Sequence, residues 1–502
     1  MPKEASKDLR RTGLDFTRAR SRSDVADSPE LERIQKQTVD ENVECLYGPG
    51  EVDYGKDELV VLCLVRNGRA YVGSFVEHYL SLGAKHLVFL DNGSTDGTVE
   101  ALKGYERVTV LRTRLPFKRY QLSMKQYLIE RFGRDRWSLL VDVDELFDYP
   151  FSDVVSLSTL LGYLNRNSYT AVVAHMLDMF PEQPISRSDD NKDVPLKEVH
   201  RFYDLSDITT HDYGIVEDTG NVISNEEIDI LQGGIQKTLF GIHPILTKHP
   251  LIFLDGNIKP MDLSEHWVSN ARVAGFTGVL FHYKLTSSLY DLVTSEIQEQ
   301  NYVNKHGKYE KYYKVLNAAS ELLVRRDTCR ELKSVNDLVG TPFAIVSPEY
   351  MKLVDEEARK SPDHSQGSEL DMLASLFFTA QAHAAVQRRD FERRKKPIRG
   401  SVWTPERDKL KELKSKHKQL NSKQHETIRE LRSRLRTLRV QVREARESRN
   451  DLESKLEAQA REARESKTDL ENQIQAIHGS TSWKVLTILS TIKTWIVGPK
   501  RQ

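Results

Sequence analysis

Trp137-Ser-Leu-Leu-Val-Asp-Val-Asp-Glu-Leu-Phe-Asp148 decides the predicted fold, because in it an apolar run ends abruptly in acidic residues. If Ser138 to Val143 is a buried strand, its two-residue period places Asp142 and Asp144 on one face, at its carboxyl end. Carboxylate oxygens suit Mg²⁺ or Mn²⁺, and open α/β sheets bind ligands beyond the carboxyl ends of their strands. The stretch therefore predicts half of a metal site. The alternative is a solvated acidic turn.

Two further apolar runs precede this stretch, and each ends in a polar turn. Glu58 to Val65 is followed by Asn67-Gly68 and by helical spacing over Tyr71 to Leu82. His86 to Asp91 is followed by Asn92-Gly93-Ser-Thr-Asp-Gly-Thr98, in which a Ser or Asp can cap the next helix. This β-α-β-α-β order predicts an α/β fold with a mostly parallel, doubly wound sheet, whose polar turns meet at one edge.

The motifs at these turns resemble the nucleotide-binding half of glycosyltransferase family 2-like enzymes, which have the Rossmann-like GT-A fold. The resemblance is strongest to the bacterial rhamnan-synthesis-like branch and covers roughly residues 57 to 350. The matching motifs are Val65-Arg-Asn-Gly68, Phe75-x-x-His-Tyr-x-x-Leu-Gly83, Asp91-Asn-Gly-Ser-Thr-Asp-Gly-Thr98, Val141-Asp-Val-Asp-Glu145, Gly233-Gly234, Lys237, Phe240-Gly241, Leu246-x-Lys248-x-Pro250-Leu251, Glu265-His266-Trp267 and Leu280-Phe-His282-Tyr-Lys284. Many relatives carry Asn-Glu where this chain has Asn67-Gly68, so no role of that Glu is carried over.

The resemblance implies a nucleotide-sugar donor and a divalent cation, Mn²⁺ or Mg²⁺, that stabilises charge on the departing diphosphate. Asp144 would then hold the metal directly, and Asp142 would contact the metal through water or the donor ribose. Asp91 and Asn67 would hydrogen-bond the base and ribose. His282 would add a metal or diphosphate contact, although a histidine beside an apolar strand can equally be structural.

Inversion at the anomeric carbon needs a base that deprotonates the acceptor hydroxyl. Glu265 is the first candidate and Asp262 or Asp255 the second, against the alternative that each is a surface acid. Lys248 and Lys284 lie within matched motifs and are the predicted partners of the phosphates. The alternative for a lysine is a solvated surface charge.

Composition excludes several classes of protein. The chain has 502 residues and only three cysteines, without paired spacing, so neither a disulfide framework nor a zinc site is expected. Lys plus Arg equals Asp plus Glu, at 74 each, so no overall field attracts nucleic acid. Residues 1–53 are polar and lack the apolar core of a signal peptide, which predicts a disordered or loosely attached extension.

The glycosyltransferase domain is predicted over residues 57–355, and a linker with a helix follows over residues 356–402. Residues 406–477 contain no proline or glycine and have heptad spacing, which predicts a coiled coil and a homo-oligomer. The alternative is a single solvated helix. Residues 480–502 predict an amphipathic helix that is too short to span a bilayer and lies on a membrane surface or docks on a protein partner.

These patterns favour a hexosyltransferase-like enzyme at the cytoplasmic face of the membrane, which extends a glycan or lipid-linked acceptor in surface polysaccharide biosynthesis. The alternatives are a catalytically inactive adaptor organised by the coiled coil and a nucleotidyltransferase, which would release pyrophosphate. A glycosidase is disfavoured because Gly93-Ser-Thr-Asp-Gly-Thr98 has no evident purpose in a hydrolase.

Overall fold

The computed structural model describes residues 29–187, 195–215, 219–261, 266–298, 306–318, 321–360, 472–473, 475–476 and 481–497. The described residues up to 360 belong to one compact unit, and those from 472 onward belong to a second.

The first unit combines a large sheet with helices on both faces. Its helices are α1 Pro29–Glu41, α2 Arg69–Leu82, α3 Thr98–Leu102, α4 Phe117–Phe132, α5 Leu157–Arg166, α6 Leu196–Val199, α7 Ile235–Phe240, α8 Ser288–Gln298, α9 His306–Leu316 and α10 Pro348–Ala358. Its strands are β1 Glu44–Tyr47, β2 Leu59–Val65, β3 His86–Asp91, β4 Val108–Arg112, β5 Trp137–Leu140, β6 Glu145–Asp148, β7 Ala171–Asp178, β8 Ile185–Ser186, β9 Phe202–Tyr203, β10 Ile208–Asp212, β11 Val222–Ile223, β12 Asp229–Gly233, β13 Thr247–Phe253, β14 Lys259–Pro260, β15 Val268–Ser269, β16 Arg272–His282, β17 Glu321–Leu322 and β18 Arg330–Glu331.

The central sheet has ten strands in the order β1-β4-β3-β2-β5-β13-β7-β16-β11, with β6 beside β16. Strands β4, β3, β2 and β5 are mutually parallel, and β7 is parallel to β16. Strand β13 runs antiparallel between β5 and β7, so those two strands point the same way. The carboxyl ends of β2, β3, β5, β7 and β16 therefore share one edge with the amino end of β13.

Strand β2 shows why the sheet is covered on both faces. All seven of its residues are buried, as expected for a parallel strand between two helical layers. Val61 and Cys63 share a cluster with Phe75 of α2, whereas Val60 and Leu62 share another with Leu128 of α4. The predicted α/β architecture with a largely parallel sheet and flanking helices is confirmed.

The N-terminal segment differs from the prediction of a loosely attached extension. Residues 29–47 form α1 and β1, and β1 pairs antiparallel with β4 at the edge of the sheet. Helix α1 contacts α4 through Lys36 Nζ and Glu130 Oε1, which are 2.8 Å apart, and its Val39 is fully buried. A short polar segment can dock in this way because an edge strand supplies unpaired backbone groups. Residues 1–28 lie outside the described part.

Two predicted boundaries are also corrected. Strand β5 ends at Leu140, and Val143 and Asp144 lie in a tight turn in which the Glu145 N–H donates to the Asp142 carbonyl at 3.0 Å. The sequence spacing also predicts a helix over residues 309–326, but the helix observed there, α9, ends at Leu316. The predicted helix within the linker and nearly all of the predicted coiled coil lie outside the described residues, so the oligomer stays a prediction.

The second unit contains α11, Thr481–Val497, within the range of the predicted amphipathic helix. Its exposed apolar side chains are Val485, Leu486, Ile488, Leu489 and Ile492. Among the described helices, none has the length and apolar character needed to cross a membrane. Contact of α11 with a membrane surface or a protein stays a prediction.

Buried neutral histidines predict how the stability of the fold depends on pH. Burial lowers the pKa of His78 to about 3 and that of His249 to about 4, while the His78 imidazole donates to the Phe147 carbonyl at 2.7 Å. A histidine in the unfolded chain has a pKa of about 6.5. Below that pH the unfolded state takes up protons that the native state does not, so the free energy of unfolding decreases as the pH is lowered.

We therefore expect the midpoint temperature of unfolding to decrease as the pH is lowered from 6.5 to 5, a range in which most carboxylates stay ionised. His78→Gln can keep the hydrogen bond to Phe147 and should make the stability less dependent on pH. One such histidine contributes at most about 1.4 kcal/mol of unfolding free energy per pH unit to this slope. Calorimetric scans across this range measure the difference. An unchanged slope in the variant would contradict the assignment.

Candidate functional site

The candidate site lies at the edge where the carboxyl ends of the parallel strands meet. Asp91 ends β3, Asp178 ends β7 and His282 ends β16, while Asp142 follows β5 by two residues. Lys248 joins them because β13 runs in the opposite direction and begins at this edge. The topology thus brings charged side chains together from segments far apart in the chain.

One half of the site is an ion network of two lysines and two acids. Lys125 Nζ lies 2.9 Å from Asp142 Oδ1, and Lys248 Nζ lies 3.3 Å from Asp142 Oδ2 and 2.6 Å from Glu145 Oε1. The other Glu145 oxygen accepts the Asp142 backbone N–H at 3.1 Å. The lysines and Glu145 are buried, whereas the side chain of Asp142 is 37% exposed. Asp142 is therefore the member of the network that a ligand can reach.

Burial and the lysines shift the pKa values of both acids in opposite directions. Burial alone would raise the pKa of Asp142, but Lys125 and Lys248 outweigh it and hold that pKa well below its usual range. Burial raises the pKa of Glu145 in spite of the opposing charge of Lys248. Asp142 is consequently the more readily ionised acid of the two, and its carboxylate forms ion pairs with both lysines.

The other half of the site is a histidine between two carboxylates. His282 Nε2 lies 3.4 Å from Asp144 Oδ2, and His282 Nδ1 lies 2.7 Å from Asp178 Oδ1. Burial alone would lower the pKa of His282, but Asp144 and Asp178 raise it to about 9. Burial would likewise raise the pKa of Asp144, and His282 lowers it instead. The histidine is therefore cationic at neutral pH and faces Asp144 through Nε2.

Lys284 adds a further cation next to this histidine. Its Nζ lies 5.8 Å from the centre of the Tyr312 ring. Burial would lower the pKa of Lys284, but Tyr312, Tyr309 and the Asp144 carboxylate outweigh it and raise that pKa. Lys284 thus stays charged within electrostatic range of Asp144, as its predicted phosphate role requires.

Asn67 and Asp91 reach the same edge, but their oxygens already have partners. Asn67 has a positive φ of 55°, and its Oδ1 accepts the Thr95 N–H at 2.9 Å. Asp91 is fully buried, accepts the Gly93 N–H at 3.2 Å and lies 3.2 Å from Arg112 Nε. Both side chains hold the loops after β2 and β3, so direct contact with a base requires rearrangement.

The loops after β2 and β3 are joined by three consecutive backbone donors. The N–H groups of Asn67, Gly68 and Arg69 each lie 2.9 Å from a side-chain oxygen of the opposite loop; the acceptors are Ser94 Oγ, Thr98 Oγ1 and Asp96 Oδ2. The motif that follows β3 is thereby explained, because its hydroxyl and carboxylate groups bind the neighbouring turn.

A cavity of about 390 Å³ lies beside these loops and is lined by Glu41, Asn42, Val43, Glu44, Arg112, Thr113, Arg114 and Leu115. Its walls are mainly polar, and its volume is in the range of small-molecule sites. Arg112 links this cavity to Asp91. The segment between α1 and β1, which had been assigned to the loose extension, therefore forms part of a cavity wall.

The donor set fits a divalent cation at Asp144 and His282 only if a ligand completes the shell. Within the described residues, no three His, Cys, Asp or Glu side chains are grouped to hold a metal ion. Asp144 Oδ2 and His282 Nε2 are close enough to bind one ion, and Asp178 behind His282 is the usual partner of a metal-bound imidazole. Mg²⁺ and Mn²⁺ sites often take remaining ligands from phosphates and water.

The three predicted bases are not equally placed. Asp255 follows β13 at the opposite edge of the sheet, where it lies 3.3 Å from Arg272 Nη2. It is not brought to the site, because β13 is antiparallel and its carboxyl end meets the amino end of β5. Glu265 and Asp262 lie outside the described residues, although the neighbouring His266 interacts electrostatically with Asp142.

Lys125 and Asp178 belong to the site and were missed by sequence reasoning. Lys125 shares the apolar face of α4 with Leu128 and Phe132, and a lysine on such a face indicates a buried acidic partner. Asp178 ends the apolar run of β7 in the same way as Asp91 ends β3. Both signals were available in the sequence.

Comparisons with known proteins give little further information. No protein-family model matches the chain, and no curated protein does. Among solved structures, a nucleotidyl transferase from Methanothermobacter thermautotroptrophicus matches 26% of the chain at 13% identity, with a TM-score of 0.16. The match spans 64% of that protein. A similarity of this size assigns neither fold nor function.

We expect a double-mutant cycle with Lys125→Met and Asp142→Asn to give a coupling free energy of about 1–2 kcal/mol, since Lys125 is buried while Asp142 keeps access to water. The exposed Lys85–Glu58 pair has a similar distance of 2.8 Å and is the matched control. Its coupling should stay below about 1 kcal/mol. Denaturant unfolding measures both, and equal couplings would contradict a special role for the buried network.

Proposed function

We propose that the chain is a metal-dependent glycosyltransferase of the GT-A type that uses a nucleotide-sugar donor and inverts the anomeric carbon. The observation that carries the proposal is the group of balanced charges at the strand ends, with an acid and a histidine positioned to share a metal ion. Its motifs lie in the order typical of such enzymes, and its sheet has the mostly parallel arrangement that the resemblance implies.

The balance of charges at the site supports a ligand that combines negative phosphate groups with a positive metal ion. Four cationic groups face four carboxylates: the cations are Lys125, Lys248, His282 and Lys284, and the acids are Asp142, Glu145, Asp144 and Asp178. A bare dianion or a bare divalent cation would unbalance this site, and unpaired charge away from water is costly. The diphosphate of a nucleotide sugar carries two negative charges, so with a divalent cation it adds no net charge, and the proton that His282 would lose changes the site by a single charge; the pair also offers partners to both sets.

Asp144 and His282 are the residues that would hold the metal, His282 through Nε2 after losing its proton. When bound, the ion would stabilise negative charge on the departing nucleoside diphosphate. Asp142 is not required as a direct ligand, because both of its oxygens already serve lysines. We assign it to the indirect contact, through water or the ribose.

The cationic groups would neutralise the phosphates. Lys284 is the better placed, since it is partly exposed and keeps its charge beside Asp144. Lys248 is buried in the ion network and would act mainly by keeping Asp142 and Glu145 in place. The nucleoside is proposed to lie towards the cavity lined by Arg112, with Asn67 and Asp91 shaping the loops around it.

The acceptor hydroxyl needs a base, and we assign this role to Glu265, with Asp262 as the second candidate. Support comes from the neighbouring His266, whose charge lowers the pKa of Asp142. Asp255 is not proposed for the role, because its carboxylate lies at the other edge of the sheet beside Arg272.

The test is release of nucleoside diphosphate from a panel of nucleotide sugars, with the full chain and Mn²⁺. We expect release that a chelator abolishes and that Asp144→Asn removes, since this change takes away a charged ligand but little volume. Glu265→Gln should bind donor normally and lower transfer by about 10² or more. Asp255→Asn is the matched control and should behave as wild type.

Each contrary outcome has a distinct meaning. Pyrophosphate release from a nucleoside triphosphate and a sugar 1-phosphate, supplied in place of the nucleotide sugar, would identify a nucleotidyltransferase. Binding of nucleotide sugar without any turnover would favour the inactive adaptor. Turnover that persists in a strong chelator would contradict the proposed metal dependence, and normal turnover by Glu265→Gln would move the base to Asp262.

A further inference from the structure

A buried chain of hydrogen bonds extends from His282 to helix α9. Gln236 Nε2 donates to Asp178 Oδ1 and Oδ2 at 2.8 and 2.9 Å, and Tyr312 Oη donates to Gln236 Oε1 at 2.5 Å. Asp178 in turn accepts from His282 Nδ1 at 2.7 Å. Tyr312, Gln236 and Asp178 are at most 5% exposed. These three residues are called the relay below.

The chemistry of the groups fixes the direction of the relay. An ionised carboxylate can only accept, so Gln236 must present its amide nitrogen to Asp178. Its oxygen then faces Tyr312, whose hydroxyl donates to it. With both carboxylate oxygens engaged by Gln236, the plane of Asp178 is set, and Oδ1 accepts a hydrogen bond from the N–H at Nδ1 of His282. That arrangement leaves Nε2 directed at Asp144.

We propose that Asp178, Gln236 and Tyr312 are positioning residues, which hold His282 with Nδ1 protonated and Nε2 aimed at the metal–diphosphate contact. This inference rests on the proposed function, since the contact it prepares is the one assigned there to Asp144 and His282. Carboxylate partners of metal-bound histidines typically change metal affinity by about 10- to 100-fold when they are removed. The relay extends this support two residues further, into α7 and α9.

Tyr312 also serves the site through its ring. Lys284 Nζ lies over that ring, so one residue of α9 is linked to both cations that neighbour Asp144. The two roles can be separated, because Tyr312→Phe removes the hydroxyl and keeps the ring. Tyr313→Phe is the matched control: it removes a hydroxyl from the next residue of α9, where the side chain is 43% exposed.

The binding experiment titrates Mn²⁺ into the full chain in the presence of uridine, guanosine or thymidine diphosphate. Tyr312→Phe should weaken Mn²⁺ binding by about 2- to 10-fold, the equivalent of one net hydrogen bond. Gln236→Leu should weaken it by about 10- to 100-fold, because Asp178 loses both of its amide contacts. Tyr313→Phe should leave the affinity unchanged. Equal affinity of Tyr312→Phe and wild type would overturn the relay.

A second readout needs no ligand and therefore separates this inference from the proposed function. In protein labelled with ¹⁵N-histidine, the His282 signal is assigned by its loss in His282→Asn. We expect a protonated Nδ1 in wild type and a changed Nδ1 proton shift in Tyr312→Phe, but not in Tyr313→Phe. An unchanged shift in Tyr312→Phe would overturn the relay. If the relay variants move the shift while wild type binds neither Mn²⁺ nor nucleotide, the relay stands and the proposed function fails.

Discussion

Neutralisation of charge at one partly buried edge of the sheet is the constraint on which the rest of the site depends. Strands β2, β3, β5, β7 and β16 end there together, and the last residues or following turns of all but β2 carry acids or a histidine. Each of these groups has a partner from another segment, because an unpaired charge in such a place is costly. The antiparallel β13 and the buried face of α4 supply the lysines that make the edge stable.

The same constraint explains how a stable arrangement can also be a binding site. The buried members, Lys125, Lys248 and Glu145, hold the frame, while Asp142 and Asp144 keep partial access to solvent. His282 is held from behind by Asp178 and meets Asp144 at the longer distance of 3.4 Å. The weakest contact in the group is therefore the one that a cation would replace, and the rest of the network need not move.

The sequence was sufficient for the parallel strands and for the acids at their ends, because buried strands and amphipathic helices have strong local periodicity. A lysine on an apolar helix face and an acid at a strand end mark Lys125 and Asp178 in the sequence, but it does not show their partners, which lie 17 and 104 residues away. Asp255 looked equivalent to the other acids only while the direction of β13 was unknown. The β5–β6 turn was also missed, since alternation over Val141–Asp144 suits a strand as well as a turn.

Isothermal titration of Mn²⁺ and a nucleoside diphosphate, each alone and each in the presence of the other, tests this charge balance most directly. Because the site is balanced, we expect weak binding of either component alone and a mutual increase in affinity of about 10-fold or more, equal in both directions by linkage. Asp144→Asn should remove the increase. Tight binding of Mn²⁺ alone, with an affinity that the nucleotide does not change, would contradict a site built for the pair.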